Sequence, residues 1–299
     1  MPISDFPHGF SNGVAIRGMP ILNAYTGNVW WVDANAERTS GARGSYKNPF
    51  PSLKTALANT QLDDGDMICI AAGHTETIST TTLTISKKIK ILGMGEGDMR
   101  PQFTVATASI YGLTVSADDV TICNLYFPAS TAAATGRIYI NAAKCTVENC
   151  YVLCGASDTG FTISMSMAGS DFKIQNNEFH IAAAGSVSAI NIPRTVTRGQ
   201  IRWNLFDGMS AANAWTSGTI YSSCAHTLIR IRDNDFMFMY ASAGGVNFPA
   251  GSPTGMMRDN FFGGGALGYM LNDTTCYKMN NYENADPAKS GRLYPTSTG

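Results

Sequence analysis

Ile174-Gln-Asn-Asn-Glu-Phe179, Ile201-Arg-Trp-Asn-Leu-Phe206 and Ile231-Arg-Asp-Asn-Asp-Phe236 are three versions of one six-residue phrase. An apolar residue opens it, polar positions with Asn or Asp follow, and an aromatic closes it. The phrase also occurs upstream as Ile122-Cys-Asn-Leu-Tyr-Phe127 and Val147-Glu-Asn-Cys-Tyr-Val152, and downstream as Met257-Arg-Asp-Asn-Phe-Phe262 and Tyr277-Lys-Met-Asn-Asn-Tyr282. The closing residues are 25, 27, 27, 30, 26 and 20 apart. Self-similarity with β-type content at that period is the signature of a solenoid, in which like residues stack over like.

Apolar residues at both ends of the phrase point inward on strands and stack into ladders about 4.8 Å apart. Ile122, Val147, Ile174, Ile201 and Ile231 would form one ladder, and Phe127, Val152, Phe179, Phe206, Phe236 and Phe262 another. Between the two the chain must turn sharply, and Asn tolerates the left-handed conformation better than other non-Gly residues. Asn177, Asn204, Asn234, Asn260 and Asn280 are therefore expected to form an asparagine ladder at a corner, each amide bonding to neighbouring coils. The expected fold is all-β: one right-handed parallel β-helix over residues 29–283, with an extended arm at 1–28 and a tail at 284–299.

Composition agrees with a β-rich body. Of the 299 residues only 14% are charged, and the formal net charge is -1. A near-neutral chain lacks the overall attraction that non-specific nucleic-acid binding needs, so nucleic acid is not an expected partner. No segment approaches the length of apolar run that spans a membrane, and the first residues lack the basic start of a secretory leader, so neither is expected. Seven cysteines, Cys69, Cys123, Cys145, Cys150, Cys154, Cys224 and Cys276, are an odd number over a long chain and read mainly as reduced, buried side chains. Cys145, Cys150 and Cys154 crowd together but lack a C-x-x-C unit and a nearby His, so neither a metal nor any other cofactor is expected.

Upstream of the repeats, Val29-Trp-Trp-Val-Asp33 reads as a strand. Pro51 fits the first position of a short helix ending near Asn59, with Leu53, Ala56 and Leu57 as its apolar face. An open solenoid exposes its interior at its first coil, and this helix is the candidate cap. Met67-Ile-Cys-Ile-Ala71, Thr82-Leu-Thr-Ile-Ser86 and Ile89-Lys-Ile-Leu92, the last before Gly93-Met-Gly-Glu-Gly97, give the first coils.

The run of Val32-Asp33, Pro49-Phe50-Pro-Ser-Leu-Lys-Thr-Ala-Leu57 and Gly65-Asp66-Met-Ile-Cys-Ile-Ala-Ala-Gly73-His-Thr-Glu-Thr-Ile78 resembles the entry to pectate-lyase-like β-helix proteins. With Phe6-Pro-His-Gly-Phe10 and Asn12-Gly-Val-Ala-Ile-Arg-Gly18 ahead of it, the whole resembles β-helix proteins of tailed bacteriophages encoded among head genes. That resemblance implies a trimeric decoration or cement protein. It would bind the major capsid protein on the outside of the head and be assembled in the bacterial cytoplasm.

The same superfamily contains polysaccharide lyases, glycoside hydrolases and tailspike depolymerases, so an enzyme is one alternative, and a non-catalytic glycan-binding β-helix adhesin is another. A lyase needs carboxylates converging on Ca²⁺ and a basic residue to take a proton; a hydrolase needs carboxylates facing across a sugar. Asp233 and Asp259 share a repeat position on adjacent coils, but Asn124, Asn149 and Asn176 precede them there, which reads as a corner ladder. His74, His180 and His226 are far apart in coil order and pair with no evident nucleophile, and His74 reads as a turn residue. No catalytic residue is assigned.

Two regions are candidate partner surfaces. The position after each opening residue reads Glu148, Gln175, Arg202, Arg232, Arg258, Lys278, a basic stripe for an acidic surface or a surface glycan, or else solvated charges balanced by Asp235 and Glu283. The arm has only Asp5 and Arg17 as charges, yet Phe6, Phe10, Ile16, Met19, Ile21 and Leu22 are too apolar for a solvated tail. Phe6, Phe10, Ile16, Arg17 and Met19 are therefore candidate anchors to the head or to neighbouring protomers, the alternative being an arm that packs along its own coils.

Overall fold

The computed structural model describes residues 14–16, 19–21, 27–36, 44–130, 133–155, 163–182, 187–208, 215–237, 245–249, 253–263, 271–272, 275–283 and 291–293. The expected architecture is observed. Among these residues three parallel sheets of ten, nine and eight strands form the faces of a right-handed β-helix, and strands pair with their counterparts in the neighbouring coils. Face I runs from Val29–Val32 to Tyr277–Met279, face II from Thr75–Ile78 to Asn281–Glu283, and face III from Leu83–Ile85 to Leu271–Asn272.

Register follows the inward columns. Ile122, Val147, Ile174, Ile201 and Ile231 pair in sequence on face I and are fully buried. On face II, Phe179, Phe206, Phe236 and Phe262 stack nearly parallel, with ring centroids 5.0, 4.8 and 4.6 Å apart. Such offset stacks add about 0.5–1.5 kcal/mol per pair beyond area burial. The six cysteines Cys69, Cys123, Cys145, Cys150, Cys154 and Cys276 are buried and all seven are free thiols. Burial pushes the Cys145 thiol up to about 11 and that of Cys150 to about 12, which keeps both protonated and unreactive.

The corner between faces I and II divides its work between two adjacent positions, which corrects the expectation that the ladder asparagines themselves take the left-handed conformation. The left-handed residues are Asn124, Asn149, Asn176, Trp203, Asp233, Asp259 and Asn280, all with φ between 50° and 58°. The ladder is made by the next residue along. Asn177 Oδ1 accepts from Cys150 N at 2.9 Å, Asn204 Oδ1 from Asn177 N at 3.0 Å, Asn234 Oδ1 from Asn204 N at 3.1 Å, and Asn260 Oδ1 from Asn234 N at 3.2 Å. Each ladder amide also donates to a backbone carbonyl of the previous coil, as Asn204 Nδ2 does to Ile174 O at 3.0 Å.

The last rung is Asn281, whose Oδ1 accepts from Asn260 N at 3.2 Å, and not Asn280. The final coil is shifted by one against the expected alignment: Lys278 pairs with Met257 and Met279 with Arg258. Tyr277 and Tyr282 reproduce the apolar spacing of the phrase, but parallel pairing and the Asn281 bonds set the true register. Strand Gly291–Leu293, within the expected tail, folds back antiparallel on Asn281–Glu283 and covers the edge of face II at that end.

At the other end helix α1, Leu53–Leu57, covers the first coil with Leu53 and Ala56 buried. Ser52 is its N-cap and accepts from Thr55 N at 3.1 Å, so Pro51 precedes the helix and does not open it. His74 is no simple turn residue: it is fully buried, and its Nδ1 accepts from Ala34 N at 3.0 Å while Nε2 lies 3.4 Å from Glu76 Oε2. Glu76 in turn accepts from Leu53 N at 2.6 Å, so the His-Glu pair ties the cap to the first coil. Asp66, also buried, accepts from Asn28 N and Trp30 Nε1 at 2.6 and 2.7 Å, which fixes the entry strand. Within the expected arm, Val14–Ile16 and Met19–Ile21 form an antiparallel hairpin.

Candidate functional site

The structure brings Arg202, Arg232 and Arg258 into one outward column of face I, through the pairs Arg202 with Arg232 and Arg232 with Arg258. Lys278 does not join them, because the final coil is shifted and Met279 takes that place. Arg232 and Arg258 are neutralised by the aspartates next to them in sequence and not by Asp235, while the side chain of Glu283 lies outside the described residues. Arg232 Nη1 bonds Asp233 Oδ2, and Arg258 Nε lies 3.5 Å from Asp259 Oδ2. Arg202 bonds Gln175 Oε1 through Nε and Nη2 at 3.0 and 2.8 Å, and Gln175 Nε2 donates to Glu148 Oε2 at 2.8 Å. The stripe is thus a set of arginines held by their own and the preceding coil.

Trp203 interrupts the corner column of Asn and Asp. It is 46% exposed in the left-handed conformation at φ 56°, where a bulky side chain costs about 1–2 kcal/mol. The guanidinium carbons of Arg202 and Arg232 lie 4.2 and 5.1 Å from its ring centroid, so cation–π contacts offset part of that cost.

Asp233 and Asp259 occupy the left-handed corner position beside the ladder and do not extend the ladder itself, and each faces an arginine. At the corner between faces III and I, Asp171 receives Arg198 Nε and Nη2 at 2.6 and 2.7 Å, and those hydrogen bonds hold its carboxyl below the usual carboxylate range. His226 does have a hydroxyl partner, contrary to the expectation: its Nε2 lies 2.8 Å from Ser222 Oγ. The polarity is wrong for a nucleophile. Val196 N donates to His226 Nδ1 at 3.4 Å, so Nε2 carries the proton, and Ser222 Oγ donates onward to Ile192 O at 2.6 Å. Both groups are buried, and burial lowers the His226 pKa to about 4.

Sequence reasoning missed a cleft on the outside of face II. Tyr126 and Tyr151 pair in register there with ring centroids 5.2 Å apart, edge to face, and Glu178 follows Tyr151 in the same column. His180 stacks on Tyr151 at 4.7 Å between Asp207 and Glu178, its ring nitrogens 3.5 and 3.6 Å from their carboxylates. The far wall is the loop after Gly93. Every later described corner between faces I and II turns in one or two residues, whereas this one continues through a short 3₁₀ turn, Gly97–Met99, before the strand starting at Gln102. Asn124 anchors the loop by donating from Nδ2 to Gly93 O and Gly95 O, both at 2.8 Å, and by accepting from Arg100 Nε at 3.1 Å. Gly93 is required at that approach, since a Cβ there would sit 2.1 Å from Asn124 O. The half-open cleft measures about 320 Å³ and is lined by Gly97, Asp98, Arg100, Tyr126, Tyr151 and Glu178. The size is at the lower end for small-molecule sites. Tyr126 and Tyr151 holding one position in consecutive repeats was the signal available in the sequence.

Of the arm residues, Ile16 and Met19 pair across the hairpin, while Phe6, Phe10 and Arg17 lie outside the described residues. Among the described residues no three His, Cys, Asp or Glu side chains come together as a set able to hold a metal ion. No helix there is long and apolar enough to cross a membrane.

No family model and no curated protein matches the chain. Solved structures do. The pectate lyase Pel9A superposes with a TM-score of 0.55 at 13% identity, over 90% of this chain and 82% of that one. A rhamnogalacturonan lyase gives 0.36 at 13% identity over 90% and 65%, and a lacto-N-biosidase from Eubacterium ramulus gives 0.31 at 10% over 87% and 68%. The likeness to the pectate lyase is one of fold: the chain is built as a pectate-lyase-like right-handed parallel β-helix.

Proposed function

We propose that this protein is a structural component of a virion, a decoration protein that binds the major capsid protein on the outside of a phage head and stabilises the shell. The observation that carries this reading is how the outer carboxylates are used. Asp171, Asp233 and Asp259, the positions where catalysis would be sought along the corners, are each tied to an arginine of the fold. With the asparagine ladder and the phenylalanine stack inside, the body is committed to rigidity. The arm, with Phe6, Phe10, Ile16, Arg17 and Met19, supplies the anchor, and the sequence resemblance to head-gene β-helix proteins supplies the setting, a trimer on the capsid surface. Deleting residues 2–22 tests the anchor. The truncated chain should fold and no longer bind heads; a truncated chain that decorates heads with undiminished affinity refutes it, and the face I stripe then becomes the contact.

A second reading, a β-helix that engages glycans, is favoured by the face II cleft, where tyrosines, carboxylates and an arginine share one small enclosure.

A further inference from the structure

The geometry points to the face II cleft as a site for a neutral hexopyranose unit of a glycan, recognised by Tyr126 and Tyr151 together with Asp98, Arg100 and Glu178. This rests on the glycan-engaging reading above and specifies its ligand. A pyranose ring has an apolar face of C–H groups and a rim of hydroxyls, so its site needs aromatic surface beside fixed acceptors and donors. Both are present. Tyr126 and Tyr151 are partly exposed on the cleft wall, edge to face at 5.2 Å, and His180 backs Tyr151 by stacking at 4.7 Å, which fixes the ring orientation. Two tyrosines held in one geometry lose little conformational freedom on binding.

The polar groups are also preset. Asn124 Oδ1 holds Arg100 Nε at 3.1 Å, which leaves the terminal nitrogens of that fork as donors toward the cleft. Asp98 and Glu178 are acceptors only when ionised, and hydroxyl donors satisfy them without charge. Burial first, with nearby carboxylates adding to it, raises the pKa of both phenols, so Tyr126 and Tyr151 remain protonated O–H donors at neutral pH.

Charge selects among sugars. Within the lining two carboxylates face one guanidinium, and Asp207 adds a third negative group acting on Tyr151. A uronate would bring its own carboxylate into this surplus, and like charges in a partly enclosed site repel strongly. A neutral hexose meets no such cost. The cleft is therefore matched to a neutral chain and mismatched to an acidic one.

The test is binding of maltotriose, cellotriose and triacetylchitotriose, as neutral probes, and trigalacturonate, as an acidic one, by saturation-transfer NMR and calorimetry on the full chain. At least one neutral probe should bind, at least tenfold more tightly than trigalacturonate. Tyr151→Ala should weaken it by tenfold or more, and Asp98→Asn, an exposed change that leaves the fold intact, by several-fold. Trigalacturonate binding equally well in the cleft overturns the inference. Glycan binding that ignores Tyr151→Ala and Asp98→Asn also overturns it while leaving the glycan-engaging reading standing elsewhere on the surface. Binding of no probe overturns both.

Discussion

Asn176 and Asn177 are neighbours with opposite jobs, and replacing each separately tests the corner. Asn177→Ala removes the acceptor of Cys150 N at 2.9 Å and the donor to Val147 O at 3.0 Å, both buried, while the bond from its own N to Asn204 Oδ1 survives. An orphaned buried N–H costs about 1–3 kcal/mol and each lost net hydrogen bond about 1 kcal/mol, so the total is about 2–4 kcal/mol. Asn176 does its work through φ at 55°, a conformation glycine adopts without penalty, so Asn176→Gly should change stability by less than about 0.5 kcal/mol. Because a solenoid can open coil by coil, native-state hydrogen exchange at the Cys150 amide is the suitable assay. Exchange there should accelerate roughly thirty-fold or more in Asn177→Ala, at about 1.4 kcal/mol per factor of ten. Equal effects of the two substitutions, or a larger one from Asn176→Gly, would refute the division of labour.

Other expectations follow from packing, strain and titration. Phe206→Ala opens a hole between Phe179 and Phe236, whose coils are held in register, and should cost about 3–5 kcal/mol by denaturant unfolding. Trp203→Asn exchanges a strained aromatic for a residue suited to φ 56° and loses two cation–π contacts, so stability should move by no more than about 1 kcal/mol in either direction; a loss well beyond that would mean the ring supports the fold. His226 has a folded pKa of about 4 against about 6.5 unfolded, so its neutral form is the stable one. Its contribution is complete above pH 6.5 and is lost as pH falls toward 4, a decline of roughly 3 kcal/mol that His226→Gln should flatten in a pH series of thermal midpoints.

The interior was legible because inward side chains repeat with every coil: the isoleucine and phenylalanine columns lie where their spacing put them. The corner was legible only to within one residue. In Asn176-Asn177 both positions carry the same residue type, and sequence alone does not say which takes the left-handed turn and which the ladder. The last described coil misled because Tyr277 and Tyr282 imitate the apolar spacing, while the parallel pairing sets Tyr277 against Met256 and Lys278 against Met257. Arginine partners were misplaced since Arg232 and Asp233 are adjacent in sequence, and across a left-handed turn adjacent side chains meet. The cleft was least legible. Gly97, Asp98 and Arg100, Tyr126, Tyr151 and Glu178 come from four successive coils, and only three-dimensional stacking gathers them.

Attachment to a capsid is the central proposal, and its most direct test is quantitative mass spectrometry of purified heads and purified tails of a phage found to carry the gene for this chain. A decoration protein should appear on tail-free heads in a fixed ratio to the major capsid protein, in multiples of three and in tens to hundreds of copies. Its presence only on tails, at a few copies per particle, or its absence from both fractions, would contradict the account.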